Sequence, residues 1–201
     1  MKKAALVAVF SGLLLALAAC DSRDGRLPEA TPQHSSRLSE LLGANDVAGY
    51  ALAARPRRFS FPRDHGPHPE YRNEWWYLTG NLDNADGERF GFELTIFRFA
   101  LQPREEAVAM SSAWAANQVY IGHFAITDVE AEQFHVAQRY ARGALGLAGA
   151  ETRPLNVWVE YWNLTEGSAD ECRIAAADGG LALSLKLEPL KEPVLNGNRG
   201  L

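Results

Sequence analysis

Past Pro56 the hydrophobic and polar positions of this chain alternate with a period of two, the spacing of strands that lie half buried against a core. Leu181, Leu183, Leu185 and Leu187 alternate with Ala182, Ser184, Lys186 and Glu188 in one such strand. Val157, Val159 and Tyr161 alternate with Trp158, Glu160 and Trp162 in another, and residues 119 to 128 read as a third. Pro154, Gly167 and the Gly179-Gly180 pair separate the segments, as turn residues do. A helical signal is confined to residues 131 to 143, where a strand is the alternative. No internal repeat or low-complexity tract interrupts the pattern.

The first hairpin can be registered from the residues alone. If Asn84 faces Glu88, the loop is Ala85-Asp86-Gly87, with glycine at the left-handed position that the common three-residue hairpin requires. That register sets Leu82 against Phe90, Gly80 against Phe92, Leu78 against Leu94, Trp76 against Ile96 and Glu74 against Arg98. One face is then apolar with an ion pair at its rim. The other face carries Trp75 with Phe97, Tyr77 with Thr95 and Thr79 with Glu93, and is mixed. The expected fold is mostly β, an antiparallel barrel or sandwich. Closure into a barrel is the economical solution, because it removes the edges.

Before Pro56 the chain reads differently. Lys2 and Lys3 precede an apolar run, residues 4 to 16, too short to span a bilayer, and Leu17-Ala18-Ala19-Cys20 follows at once. The tetrapeptide resembles a bacterial lipobox. Residues 1 to 19 are therefore expected to be a lipoprotein signal peptide, and Cys20 the acylated anchor. Residues 20 to 45 read as a tether, holding a domain on the order of 20 Å from the membrane. Within it Ser36 caps a short helical stretch, residues 37 to 43, that stops at Gly43. Residues 46 to 201 are the folded domain. The implied location is the bacterial envelope facing the periplasm; Asp21 resembles an inner-membrane retention signal, and inner and outer membrane both stay open.

Charge excludes one class of partner. Loss of residues 1 to 19 takes two of the 20 basic side chains and none of the 25 acidic ones, so the net charge moves from −5 to −7. Nucleic acid needs clustered Lys and Arg, and is not expected as a partner. With Cys20 acylated, Cys172 has no partner in the chain and reads as a small buried hydrophobe. The fold must be held by its core.

The most informative stretch is residues 61 to 82. It runs Phe61-Pro62-Arg63-Asp64-His65-Gly66-Pro67-His68-Pro69-Glu70-Tyr71-Arg72-Asn73-Glu74-Trp75-Trp76-Tyr77-Leu78-Thr79-Gly80-Asn81-Leu82. Its order and spacing closely resemble the signature of the carotenoid 1,2-hydratase (hydroxyneurosporene synthase) and AttH-like family. The resemblance covers residues 48 to 201 and implies a lipocalin-like fold, of which this chain holds the first of the family's two such domains. The final segment, residues 193 to 201, resembles the family's linker into the second half, which suggests a truncated frame, a fragment or a one-domain variant.

Two functions follow from the resemblance. One is an envelope lipoprotein that binds an apolar molecule or lipid, working beside an ABC-type exporter. The other is hydration of a terminal carbon-carbon double bond, which needs an acid, an apolar tunnel and aromatic faces to stabilise a cation. The family's catalytic residues look to lie in its second half, so no catalytic residue carries over to this chain. A secreted hydrolase or a purely structural lipoprotein is the third reading, but no nucleophile elbow, phosphate loop or zinc-protease motif is present.

The candidate ligand-binding residues are Trp75, Trp76, Tyr77, Glu74, Arg98, His65 and His68. His65 and His68 have a His-x-x-His spacing, yet Gly66-Pro67 between them breaks the helix that usually makes such a pair converge on one ion. No metal and no cofactor is expected. Hydrogen bonding to the turns before the strand is the alternative role, and an acid or base at a cavity mouth a third. Alternation sends Trp75 and Tyr77 to one face and Trp76 to the other, so the three cannot share a role. Trp158, Tyr161 and Trp162 pose the same choice between core and ligand wall. Arg98 among aromatics must be paired, with Glu74 or Glu93. His123 reads as structural.

Overall fold

The computed structural model describes residues 47–103, 112–168 and 171–201. The expected signal peptide, the anchor at Cys20, the tether and the helix after Ser36 lie outside them. Among the described residues nine strands form two antiparallel sheets. The first contains β1 (Asn73–Asp83), β2 (Arg89–Ala100), β3 (Gln118–Asp128) and β4 (Gln133–Arg142), paired in chain order. The second contains β5 (Ala148–Thr152), β6 (Leu155–Val159), β7 (Trp162–Glu166), β8 (Cys172–Asp178) and β9 (Leu181–Leu187), again in chain order. A single 3-10 turn, Arg63–His65, is the helical element among the described residues.

The first hairpin has the register its residues dictate. Glu74 lies opposite Arg98, Trp76 opposite Ile96, Leu78 opposite Leu94 and Leu82 opposite Phe90. Asn84 N–H donates to the Glu88 carbonyl at 3.0 Å, and Asn84 Oδ1 accepts from the amides of Asp86 and Glu88, both at 2.9 Å. Gly87 has φ +87°, the left-handed value that a side chain would strain.

The core lies between the sheets. Phe92, Leu94, Ile96, Tyr120, Phe124 and Ile126 of the first sheet meet Val157, Val159, Trp162, Leu164, Ile174 and Leu183 of the second. Each such aliphatic or aromatic side chain stabilises the fold by roughly 1.5–3 kcal/mol when fully withdrawn from water. Phe124 meets Trp162 edge-on at 5.7 Å between ring centroids. The sheets approach most closely at Gly122, where an added Cβ would sit 2.6 Å from Val159 Cγ1 and 2.9 Å from Trp162 Cε3. Arg139 of β4 ties the layers from the side, pairing with Glu160 at 3.2 Å and with Asp178 while its guanidinium covers the Trp162 ring at 5.2 Å.

Three readings are decided by the structure. Of the expected barrel and sandwich it takes the sandwich: among the described residues no ladder joins the sheets, and they stack with large side chains filling the layer between them. Residues 131 to 143 form no helix; ten residues pair along β3 as β4, and its apolar positions at 134, 137, 140 and 141 mimic a helical spacing by coincidence. The run from Val157 to Trp162 is two strands, because Glu160 turns back with φ 54° and sets Val159 against Trp162. Trp162, fully buried, therefore shares the core with Val157 and Val159, while Trp158 is half-buried and donates its Nε1 hydrogen to the Gly146 carbonyl at 3.0 Å.

Candidate functional site

The residues before β1 fold over one end of the sandwich, and a buried guanidinium holds them there. Arg98, on the inner face of β2, is 1% exposed. Its Nε donates to Glu74 Oε2 at 2.8 Å, and its Nη2 donates to the carbonyls of His68 at 3.0 Å and Tyr71 at 2.9 Å. Arg98 Nη1 is buried with no hydrogen-bond partner among the described residues. Glu74 is the partner of Arg98, whereas Glu93 accepts from the Thr95 hydroxyl at 3.1 Å.

Glu74 has a second task. Its carboxylate accepts from the His68 amide at 2.9 and 3.1 Å and lies 3.1 Å from His68 Nδ1. The far side of that ring, Nε2, lies 3.0 Å from Arg57 Nη2 and 3.3 Å from Asp64 Oδ1. A proton on Nδ1 alone lets Nε2 accept from Arg57; a doubly protonated ring donates to both carboxylates. Asp64 is nearly enclosed. Burial opposes its charge, but the Ser60 amide at 2.5 Å, His68 and Arg57 outweigh that and hold the carboxyl at about 2. Tyr120, opposite Arg98 on β3, has its phenol pushed up to about 12 by burial, against the pull of Arg98 and with the help of Glu74.

His68 thus bonds the turn and the strand, one of the roles open to it in the sequence. His65 does so through its backbone, whose carbonyl accepts from Trp76 Nε1 at 2.8 Å, while its ring lies 4.5 Å from that of Phe61. The two imidazoles do not converge on one point. Among the described residues no three His, Cys, Asp or Glu side chains are placed to hold a metal ion. Cys172 is half-buried against the core, and burial raises its thiol.

The three motif aromatics divide as alternation requires. Trp76 packs on the core, whereas Trp75 and Tyr77 stand on the outer face of the first sheet, 60% and 56% exposed. They are not alone there. Trp75, Phe97, Ile121 and Tyr140 form one row across all four strands, and Tyr77, Thr95, His123 and Gln138 form the next. Phe97 lies 6.5 Å from Trp75, 6.3 Å from Phe99 and 5.2 Å from His123, which packs on it edge-on. Phe134 and Val136 of β4 extend the exposed apolar surface. The β4 half of this wall escapes a reading that takes residues 131 to 143 for a helix; the alternation of Phe134, Val136, Gln138 and Tyr140 is the signal that finds it. Arg57, outside the motif stretch, carries no such signal, whereas Asp64 stands within it.

The fold and this end cap define a lipocalin-like antiparallel β-sandwich whose motif loop is locked onto the sheet by a buried ion pair. The AttH-like family matches residues 52–201, and the chain belongs to that family. A crystal structure of an AttH candidate from Nitrosomonas europaea is similar, with 28% sequence identity and a TM-score of 0.61 over 75% of this chain. The match spans 43% of that relative, so this chain corresponds to less than half of its length. Among proteins of curated function, none matches.

Proposed function

We propose that this AttH-like domain is a lipid-anchored envelope protein that holds an apolar ligand against the outer face of the β1–β4 sheet. The observation that carries this reading is the outer-face row Trp75, Phe97, Ile121 and Tyr140: Ile121 is covered and Phe97 half-buried, while Trp75 and Tyr140, with Tyr77, Phe134 and Val136 around them, stand open to solvent. Soluble domains rarely leave a contiguous patch of this kind uncovered unless something binds there. Among the described residues the layer between the sheets is packed with side chains. Anchoring through Cys20 keeps the face near a bilayer, the source of apolar ligands, and an ABC-type exporter is the partner that the family resemblance supports.

The geometry favours binding over hydration. Glu74, the acid that a double-bond hydration would call on within the motif, is committed to Arg98 and His68 through both oxygens. The test uses the full chain and a neutral acyclic carotene presented in detergent. Quenching of tryptophan emission should be saturable. Trp75→Ser with Tyr140→Ser should weaken uptake tenfold or more without changing the unfolding midpoint. Uptake indifferent to that pair, or turnover of the carotene to a hydroxylated product, overturns the reading. Palmitate labelling that survives Cys20→Ser overturns the anchor.

A further inference from the structure

We propose that the polar cleft between the Arg63–His65 turn and the β5–β6 hairpin is a binding site for an oxyanion, a phosphate or carboxylate group. The cleft encloses about 690 Å³, ample for a phosphate and the first atoms of what it is esterified to. It lies apart from the outer aromatic face and does not rest on the carrier reading. Arg57, Arg63 and Arg153 line it together with His68, Asp64 and Glu70. Guanidinium groups stay charged at any working pH and present five N–H donors in a planar fork suited to two-oxygen acceptors.

The acids in the cleft do not use up those donors. Asp64 has a side chain 2% exposed and meets Arg57 Nη1 at 3.3 Å and Arg63 Nε at 3.5 Å through the same oxygen, Oδ1. These are long single contacts, and they leave most N–H groups of both arginines unspent. Asp64 thereby acts as an internal brace that holds two guanidinium groups side by side. Arg153 comes from the opposite wall, in the turn between β5 and β6, and has neither a hydrogen bond nor an ion pair among the described residues. The Glu70 carbonyl accepts from the Ala51 amide at 2.9 Å, but its carboxylate has no partner among the described residues, so the rim carries one uncommitted acid against three guanidinium groups.

The walls are also fixed in place. An added Cβ at Gly66 would sit 2.8 Å from Thr152 Oγ1 and 2.9 Å from Thr152 Cα, so the motif turn is docked on the end of β5 without room for a side chain. The backbone of both walls is thereby set in place, and what remains to be ordered when an anion enters is the exposed arginine side chains. The motif's Arg63, Asp64, His68 and Glu70 thus form one wall, and Arg153 faces them.

Calorimetric titration of the full chain with inorganic phosphate at pH 7, against chloride at matched ionic strength, should show saturable binding to one site. Arg153→Gln should weaken it at least tenfold, and Glu70→Gln should tighten it several-fold by removing the opposing charge. Neither side chain has a partner among the described residues, so the unfolding midpoint of both variants should match the parent; Arg63→Gln is a second variant expected to weaken binding. Short-chain phosphatidic acid below its micelle concentration separates the sources. Affinity tenfold above that of phosphate assigns a lipid headgroup, and equal affinity assigns the free anion. Heat indistinguishable from that of chloride overturns the proposal, as does phosphate binding that survives both Arg153→Gln and Arg63→Gln.

Discussion

Glu74→Ala should cost about 3–5 kcal/mol of unfolding free energy, the range for removing one partner of a buried ion pair. The geometry explains why the value belongs near that end. Arg98 is 1% exposed, and without Glu74 its charge is left with two neutral carbonyl acceptors, those of His68 and Tyr71. The His68 amide and Nδ1 lose their acceptor at the same time. A net hydrogen bond to a charged group contributes about 1.5–3 kcal/mol, so the lost Arg98 and His68 contacts alone reach the lower bound. Arg98→Ala should cost somewhat less, about 2–4 kcal/mol, because Glu74 keeps both His68 donors and is 15% exposed in its side chain. The double variant removes both charges. The cycle should therefore show a coupling of about 2 kcal/mol or more, measured by urea unfolding of the full chain at pH 7 with a common slope. Additivity within about 0.5 kcal/mol, or a Glu74→Ala loss below about 1 kcal/mol, refutes the lock.

Three further outcomes rest on the same structure. Gly122→Ala should destabilise by about 1–3 kcal/mol in chemical unfolding, since the new methyl meets Val159 and Trp162 where the sheets touch; a neutral change refutes that contact. Tyr120 should ionise near pH 12 in an absorbance titration. Its folded value lies above the usual 10, so the stability it contributes is complete below pH 10 and is lost as pH rises toward 12, and Tyr120→Phe should abolish that loss. Asp64 runs the opposite way. Its carboxyl lies at about 2 against an ordinary 3.8, so its contribution is complete above pH 3.8 and disappears as pH falls to 2, and Asp64→Asn should flatten that part of the stability profile.

Much of the first sheet was legible because it is local. Asn84, Gly87 and Glu88 specify a three-residue hairpin, and once that loop is set the period of two assigns every side chain of β1 and β2 to a face. The pairing of Glu74 with Arg98, the separation of Trp75 from Trp76 and the strand Leu181–Leu187 all follow without any contact distant in sequence. Where local signals conflict, the residues alone left the choice open or misplaced a boundary. Residues 133 to 142 carry an apolar spacing compatible with a helix, and only the exposed ladder of β3 decides for a strand. Glu160 has no turn signature, yet its positive φ folds the 157–162 run back on itself, because that is how Trp162 enters the core beside Val159.

By itself, then, the chain determined its strand-rich class, the first hairpin and the motif that marks its family. Tertiary packing alone decided that the sheets stack without closing, since that choice depends on how side chains from strands far apart in sequence fill a common volume. It decided the candidate sites for the same reason. Arg57 and Arg153 are separated by the whole of the first sheet and face one cleft, and Tyr140 reaches the row of Trp75 only through two intervening strands. A periodicity reports which face a residue takes, while which distant residue shares that face is set by the pairing of the sheets.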